Sequence, residues 1–444
     1  MIRRIDLRGT SVGQRSGSGQ YTVVVPRAPF DVDAAVDVVR PICDDVRHHG
    51  AEAIARWTRD LDGVDLAQPV VPIDAITDAL DRLDRGVRVG LTESISRLRA
   101  TCAAELEHDV TTEISPGATV QRRIVAMGRV GLYVPGGLAP LVSSVVMNAV
   151  PAQVAGVASI ALASPPQKEF DGLPHPNILA ACALLGLDEV YSVGGAQAIA
   201  MFAYGAAPCA PVDLVTGPGN IYVVAAKRLL RGVVGIDSEA GPTEIAVLAD
   251  GSADPAFVAA DLISQAEHDP LAASVLVTDS TVLAAAVTVE LERQVPLAKH
   301  AARIQHALTA EQSAIVLVDN IAQGLDVVNA YAPEHLEVHT RDAAAVAAGV
   351  RNAGAVFIGP HAPVSLGDYC AGSNHVLPTA ANAVHSSGLS VRAFCKNMQV
   401  ITYDEGALED VGREVVALAE AEDLPSHGAA VALRLATTDA AREG

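Results

Sequence analysis

The residues best equipped for chemistry lie in four short stretches in the second half of the chain. "SQAEHDP" (264–270) packs a carboxamide, two carboxylates and an imidazole together at the end of an amphipathic run from Pro255 to Ile263. On a helix, Gln265 and His268 are i and i+3, so they would share a face and could clamp one ion, with Glu267 and Asp269 pointing away. The stretch alone also fits a solvated polar helix end. "YAPEHLEVHT" (331–340) sets Glu334 beside His335 after a proline, at the end of a helix-like run. "SLGDYCAGSNHVLPT" (365–379) carries Asp368 and His375 in a Gly- and Ser-rich loop, and "EDLPSHGAA" adds Glu422 and His427 before a final helix. Histidines and carboxylates borne on loops point to function more often than those in a core. A mixed set of imidazole, carboxylate and amide suits zinc or another borderline divalent ion. His48, His49, His108, His300 and His306 sit in polar helical contexts and read as surface.

These residues need a scaffold, and the hydrophobic pattern supplies one. The first ~125 residues are charge-rich and mostly helical in pattern, over Val32–His48, Ala51–Arg59, Ile73–Leu83 and Val87–Leu106. From Arg129 the texture changes: only six charged residues occur between Val130 and Ala226. Here "RVGLYVPGG" (129–137), "VASIALASPP" (157–166), "EVYSVGG" (189–195) and "VDLVTGPGN" (212–220) each read as a buried strand running into a turn. Helix-like stretches separate them, at Leu141–Val154, Pro176–Leu185, Ala196–Tyr204 and Ile221–Leu230. A second series, "EIAVLAD" (244–250), "ASVLVTD" (273–279), "AIVLVDN" (314–320) and "AVFIGP" (355–360), follows the same rule. Near-continuous apolar strands alternating with helices indicate parallel sheets covered on both faces. In such sheets ligands gather at the carboxyl ends of strands, where the Gly-rich turns fall. "TGPGN" is neither G-x-G-x-x-G nor a Walker loop, so each turn is a weak signal alone; three in one charge-poor unit are a stronger one.

Composition narrows the partners. The 444 residues are 50% hydrophobic and 19% charged, with net charge -21, which disfavours nucleic acid or an anionic membrane surface. Gly131–Gln167 lacks Asp, Glu, Lys and Arg, but prolines, Asn148 and Gln153 interrupt it, so a transmembrane helix is not expected. The start has no apolar secretory core, and the six cysteines show no C-x-x-C pairing. Reduced thiols in a cytoplasmic protein are the simplest expectation.

In order along the chain, "GLYVPGG", "VMNAVPAQVAG", "GGAQAIAMFAYG", "VTGPGNIYVVAAK", "GPTEIAVLAD", "SQAEHDP", "APEHLE", "LGDYCAGSNHVLPT", "SSGLSV" and "LPSHGAAVALR" resemble the histidinol dehydrogenase family. The resemblance implies oxidation of L-histidinol to L-histidine through an aldehyde, with two NAD and one zinc ion per subunit of a homodimer. It implies zinc ligands Gln265, His268, Asp368 and His427, catalytic residues Glu334 and His335, and NAD contacts at Tyr133, Gln197 and Asn220. Substrate contacts would be Thr243, His375 and Glu422, together with Gln265, His268, His335, Asp368 and His427. Thr243 stands where "GPSE" is more usual, which keeps a hydroxyl and adds a methyl. The implied fold is two Rossmann-like parallel-sheet domains, one inserted in the other. Residues 1–128 would be a helical region belonging to the first domain, 129–241 the inserted NAD-side domain, and 242–390 the remainder with the metal and catalytic residues. Residues 391–444 would be a small C-terminal segment reaching an active site, the chain's own or a partner's. Cys370 lies next to the site, but no covalent thiol step is required.

Two other functions use similar residues. A zinc hydrolase would need no NAD turns; H-E-x-x-H is absent and the candidate ligands are dispersed. A non-catalytic binding protein would have no use for the paired Glu334 and His335.

Overall fold

The computed structural model describes residues 2–10, 25, 27–66, 68–136 and 140–442; Gly137, closing the first Gly-rich turn, lies outside them. The chain forms two compact units, Met1–Glu105 with Met127–Phe394, and Leu106–Ala126 with Cys395–Gly444.

The first unit holds two all-parallel sheets. One contains β1 (Arg3–Asp6) and the later strands β9 (Glu244–Ala249), β10 (Ala273–Thr278), β11 (Ala314–Leu317), β12 (His335–His339) and β13 (Ala355–Ile358), in the order β1-β11-β10-β9-β12-β13. The other contains β4 (Arg129–Tyr133), β5 (Ser159–Ser164), β6 (Val190–Ser192), β7 (Leu214–Thr216) and β8 (Gly235–Ile236), in the order β6-β5-β4-β7-β8. The second sheet is thus built from a stretch inserted between β1 and β9. Central strands such as β9 and β10 are buried at every residue, as two covered faces require.

Helices follow the strands: α5 (Val142–Ala155), α6 (Pro176–Leu184), α7 (Gly195–Tyr204) and α8 (Ile221–Leu230) in the inserted stretch, then α9 (Pro255–Ala266), α10 (Thr281–Gln294), α11 (Ala301–Thr309), α12 (Ile321–Tyr331), α13 (Ala343–Ala347) and α14 (Val364–Tyr369). Asp254 caps α9 and Pro255 occupies its first turn, where a missing N–H costs nothing. Before them come α1 (Val32–His49), α2 (Ala51–Trp57), α3 (Ile73–Asp81) and α4 (Arg85–Glu105). The apolar faces of α1 and α2, with Val39, Cys43, Val46 and Ile54, pack into one core with Ile199, Phe202 and Val224 of the inserted stretch, and α3 and α4 pack on α6 and α5.

The N-terminal region is not wholly helical. β1 joins the six-stranded sheet, and β2 (Val110–Ser115) pairs antiparallel with β3 (Ala118–Ala126). In the second unit β14 (Cys395–Tyr403) completes the order β14-β3-β2, and α15 (Glu405–Ala421) packs on α16 (Pro425–Arg442). No helix among the described residues is long and apolar enough to cross a membrane.

Candidate active site

The catalytic candidates gather at the amino-terminal edge of the six-stranded sheet, not at the carboxyl ends where the sequence rule looks first. Thr243 immediately precedes β9, and His335 opens β12, its neighbour. Gln265 lies in the last turn of α9, and Asp368 near the end of α14, so neither Asp368 nor Glu334 occupies the setting expected from sequence: a short helix carries the first, and a turn into a buried strand the second. Helices that run back over a parallel sheet end at this edge, and their carbonyl ends carry partial negative charge that favours a cation.

His268 also departs from expectation. α9 ends at Ala266, and His268 lies beyond it, its N–H bonded to the Gln265 carbonyl at 3.2 Å. The turn, rather than a shared helix face, brings it beside Gln265. Its Nε2 lies 3.7 Å from Asp368 Oδ2, with the imidazole 39% exposed. That nearby carboxylate raises the imidazole's pKa. Burial by itself would raise Asp368, but His268 and the neighbouring imidazoles outweigh it and hold the carboxyl below its ordinary range. His375 donates its Nδ1–H to the Asp368 carbonyl at 2.9 Å, which ties the His375 loop to α14.

Behind these groups runs a chain of short hydrogen bonds. Gln265 Nε2 donates to Thr243 Oγ1 at 2.5 Å, and that hydroxyl donates to Glu334 Oε2 at 2.6 Å. The Glu244 backbone N–H reaches the same oxygen at 3.0 Å. The hydroxyl kept at position 243 therefore links a candidate ligand to a candidate base. Burial pushes the Glu334 carboxyl up to about 7, against the pull of those two donors. Burial also drives His335 down to about 4, so its imidazole is neutral at ordinary pH. Its Nδ1 faces the Glu244 carbonyl at 3.3 Å, and its buried Nε2 has no partner.

Gln265 Oε1 is likewise buried and unpartnered. An orphaned buried acceptor costs about 1–3 kcal/mol unless something satisfies it. An amide oxygen, an imidazole and a carboxylate are donor types that zinc accepts. Of the four expected ligands, Gln265, His268 and Asp368 belong to the first unit. His427, in the first turn of α16, and Glu422, which ends α15, belong to the second and are exposed.

Sequence reasoning missed a second buried layer. Asp261 precedes Gln265 by one helical turn, and Glu337 and His339 follow His335 on the same face of β12; the ligand-type atoms of these three lie within 4.8 Å of one another. Glu337 Oε1 accepts the Val364 N–H at 2.7 Å, and its Oε2 lies 3.5 Å from His339 Nε2; among the described residues neither that oxygen nor the His339 nitrogens have a hydrogen-bond partner. Burial raises both carboxyls, Asp261 to about 6. Arg27 was missed as well: it pairs with Glu244 and lies over the Tyr331 ring at 4.1 Å. Period-two spacing of His335, Glu337 and His339 was the available signal for the buried layer.

The dinucleotide candidates lie at the other sheet, at its carboxyl edge. Tyr133 ends β4, Gln197 is in the first turn of α7, and Asn220 caps α8 by accepting the Tyr222 and Val223 N–H groups. The order of this sheet reverses at β4, which is flanked by β5 and β7. Such a switch point opens a crevice for a nucleotide. Gly217, with φ +118°, is required there: a Cβ would lie 2.0 Å from the Tyr133 carbonyl oxygen.

The histidinol dehydrogenase family model matches residues 25–435. The chain belongs to the histidinol dehydrogenase family. It is 65% identical over 435 residues to the histidinol dehydrogenase of Thermobifida fusca (strain YX), covering 98% of each chain. It is 60% identical over 438 residues to that of Nocardia farcinica (strain IFM 10152), again with 98% of each covered. The crystal structure of histidinol dehydrogenase from Elizabethkingia anophelis superposes with a TM-score of 0.91 at 30% identity, over 99% of both chains. Membership makes this chain an NAD-dependent oxidoreductase of histidine biosynthesis, with histidinol as substrate.

Proposed function

We propose that this chain oxidises L-histidinol to L-histidine through the aldehyde, consuming two NAD, with Glu334 and His335 as its proton-transfer residues and one zinc ion per subunit held by Gln265, His268, Asp368 and His427. The observation that carries the reading is the pair of buried, unpartnered atoms, Gln265 Oε1 and His335 Nε2, on either side of the Thr243–Glu334 hydrogen bonds. When bound, zinc supplies positive charge that orients the amino alcohol, and NAD accepts hydride. His335, neutral and with Nε2 free, takes the alcohol proton as hydride leaves. Glu334 has one oxygen fixed by two donors, and its other oxygen takes a proton from the water that hydrates the aldehyde. Thr243 keeps Gln265 and Glu334 in fixed relation through both events. Tyr133, Gln197 and Asn220 contact NAD, while His375 and Glu422 contact the substrate.

Glu422 and His427, in the C-terminal segment, complete the chain's own site or that of its partner in a homodimer. The cytoplasm is the compartment that suits this chemistry, and six free cysteines agree with it.

The deciding experiment is the number of NADH formed per L-histidinol consumed, before and after chelation. Two NADH, lost with chelator and restored by zinc, support the four-electron metal-dependent reaction. One NADH, or activity indifferent to chelation, overturns it.

A further inference from the structure

We propose that Asp62 is a cofactor-binding residue that holds a ribose diol of NAD and sets the preference against a phosphorylated dinucleotide. The inference rests on the assignment of Tyr133 and Gln197 to the NAD site.

Asp62 closes a π-helical turn, Thr58–Asp62, that follows α2. This turn belongs to the N-terminal helices packed on the inserted sheet, so a residue far from any Gly-rich motif arrives at the nucleotide edge. Gln197 Nε2 donates to Asp62 Oδ2 at 3.4 Å. Among the described residues no Lys, Arg or His nitrogen forms an ion pair with it. Burial pushes the carboxyl up to about 6. A half-buried carboxylate with one long hydrogen bond and no cation is costly to keep, and a function is the simplest reason to keep it.

The surrounding atoms say what the ligand offers. Gln197 spends an N–H on Asp62, leaving its buried Oε1 as an acceptor without a partner. Tyr133 Oη accepts the Gly195 N–H at 3.1 Å, which leaves its hydroxyl proton to donate. Two carboxylate oxygens and an amide oxygen make an acceptor-rich corner, complementary to a vicinal diol with two O–H donors. An acidic side chain on ribose hydroxyls is the general device by which α/β dinucleotide sites hold NAD, and the same charge repels a 2′-phosphate. The site lies at the carboxyl edge of the inserted sheet, beside the switch point.

The test compares Asp62→Asn with Gln197→Ala in the full-length zinc-loaded enzyme. A charge-assisted hydrogen bond is at stake, so Asp62→Asn should raise the KM for NAD about ten- to a hundredfold, with the KM for histidinol and the zinc content unchanged. Its melting temperature should hold or rise, because the amide removes a buried charge; a misfolded variant is thereby told from a defective site. Loss of inhibition by AMP in Asp62→Asn, with a lower ratio of NAD to NADP efficiency, places the diol on the adenosine side. Loss of inhibition by nicotinamide mononucleotide instead places it on the other ribose and overturns the role in rejecting a 2′-phosphate. A raised NAD KM in Gln197→Ala with an unchanged one in Asp62→Asn overturns the role of Asp62 alone. Unchanged values in both variants overturn the NAD placement itself.

Discussion

At the scale of single residues, burial decides what each titratable group can do. His335 and Glu334 are adjacent in sequence, yet the same loss of water moves them in opposite directions, because it disfavours a cation in one and an anion in the other. The result is a neutral imidazole with a free nitrogen beside a carboxyl near neutrality, two bases suited to different protons. Only the second oxidation requires hydration of an aldehyde. Glu334→Gln should therefore slow the second hydride transfer by about 10²–10⁴-fold and the first far less, as single-turnover kinetics would resolve. Equal slowing of both steps would remove this division of labour. The deeper layer gives a prediction about stability. A carboxyl whose folded pKa lies above its unfolded value contributes stability fully present below about pH 4, and lost as pH rises through the folded value. Asp261 is such a group, raised to about 6 by burial. Asp261→Asn should flatten the decline in unfolding free energy between about pH 4 and pH 7, measured by urea titration at several pH values. An unaltered slope would show that Asp261 stays charged, as it would beside a bound cation.

At the scale of elements, strands with continuous apolar runs were legible and strands without them were not. "EIAVLAD" and "ASVLVTD" show continuous apolar runs, and β9 and β10 lie inside them. β1 is a charged edge strand, "RRID", and β2 is mostly exposed, so neither carries the apolar run or the alternation that marks a strand. β12 hides behind a proline and polar residues, because His335, Glu337 and His339 occupy one of its faces. Amphipathic periodicity located α1 and α2 but holds no address for their apolar faces, which settle on the inserted sheet. The candidate site residues were named from ordered motifs, whereas Asp62 and Asp261 look like solvated acids until the fold buries them. Close packing within an element is testable too. A Cβ on Gly131 of β4 would meet the Phe202 ring at 2.6 Å. Gly131→Ala should cost about 1–3 kcal/mol, partly recovered by adding Phe202→Leu. Urea midpoints for the single and double variants would check it, and additive losses would show that the ring is not the obstacle.

At the scale of the whole molecule, the proposed metal and substrate groups come from stretches of sequence that are far apart. Gln265, His268 and Asp368 belong to the first compact unit, while Glu422 and His427 belong to the second. Were His427 supplied by a second copy, turnover would be conditional on the dimer. That arrangement has a signature no single-chain site can mimic. His335→Ala and His427→Ala should each abolish activity in the homodimer. If His427 acts on the partner, a mixed dimer combines one intact His335 with the other chain's intact His427 in one of its two sites. Equal mixing after dissociation and reassociation should then restore about a quarter of wild-type activity, since half of the dimers are mixed and each holds one intact site. If His427 serves its own chain, every site in every dimer carries one lesion, and the mixture stays inactive. Recovery in the mixture, measured as NADH formation against the two unmixed variants, therefore decides whether the second unit completes its own site or its partner's.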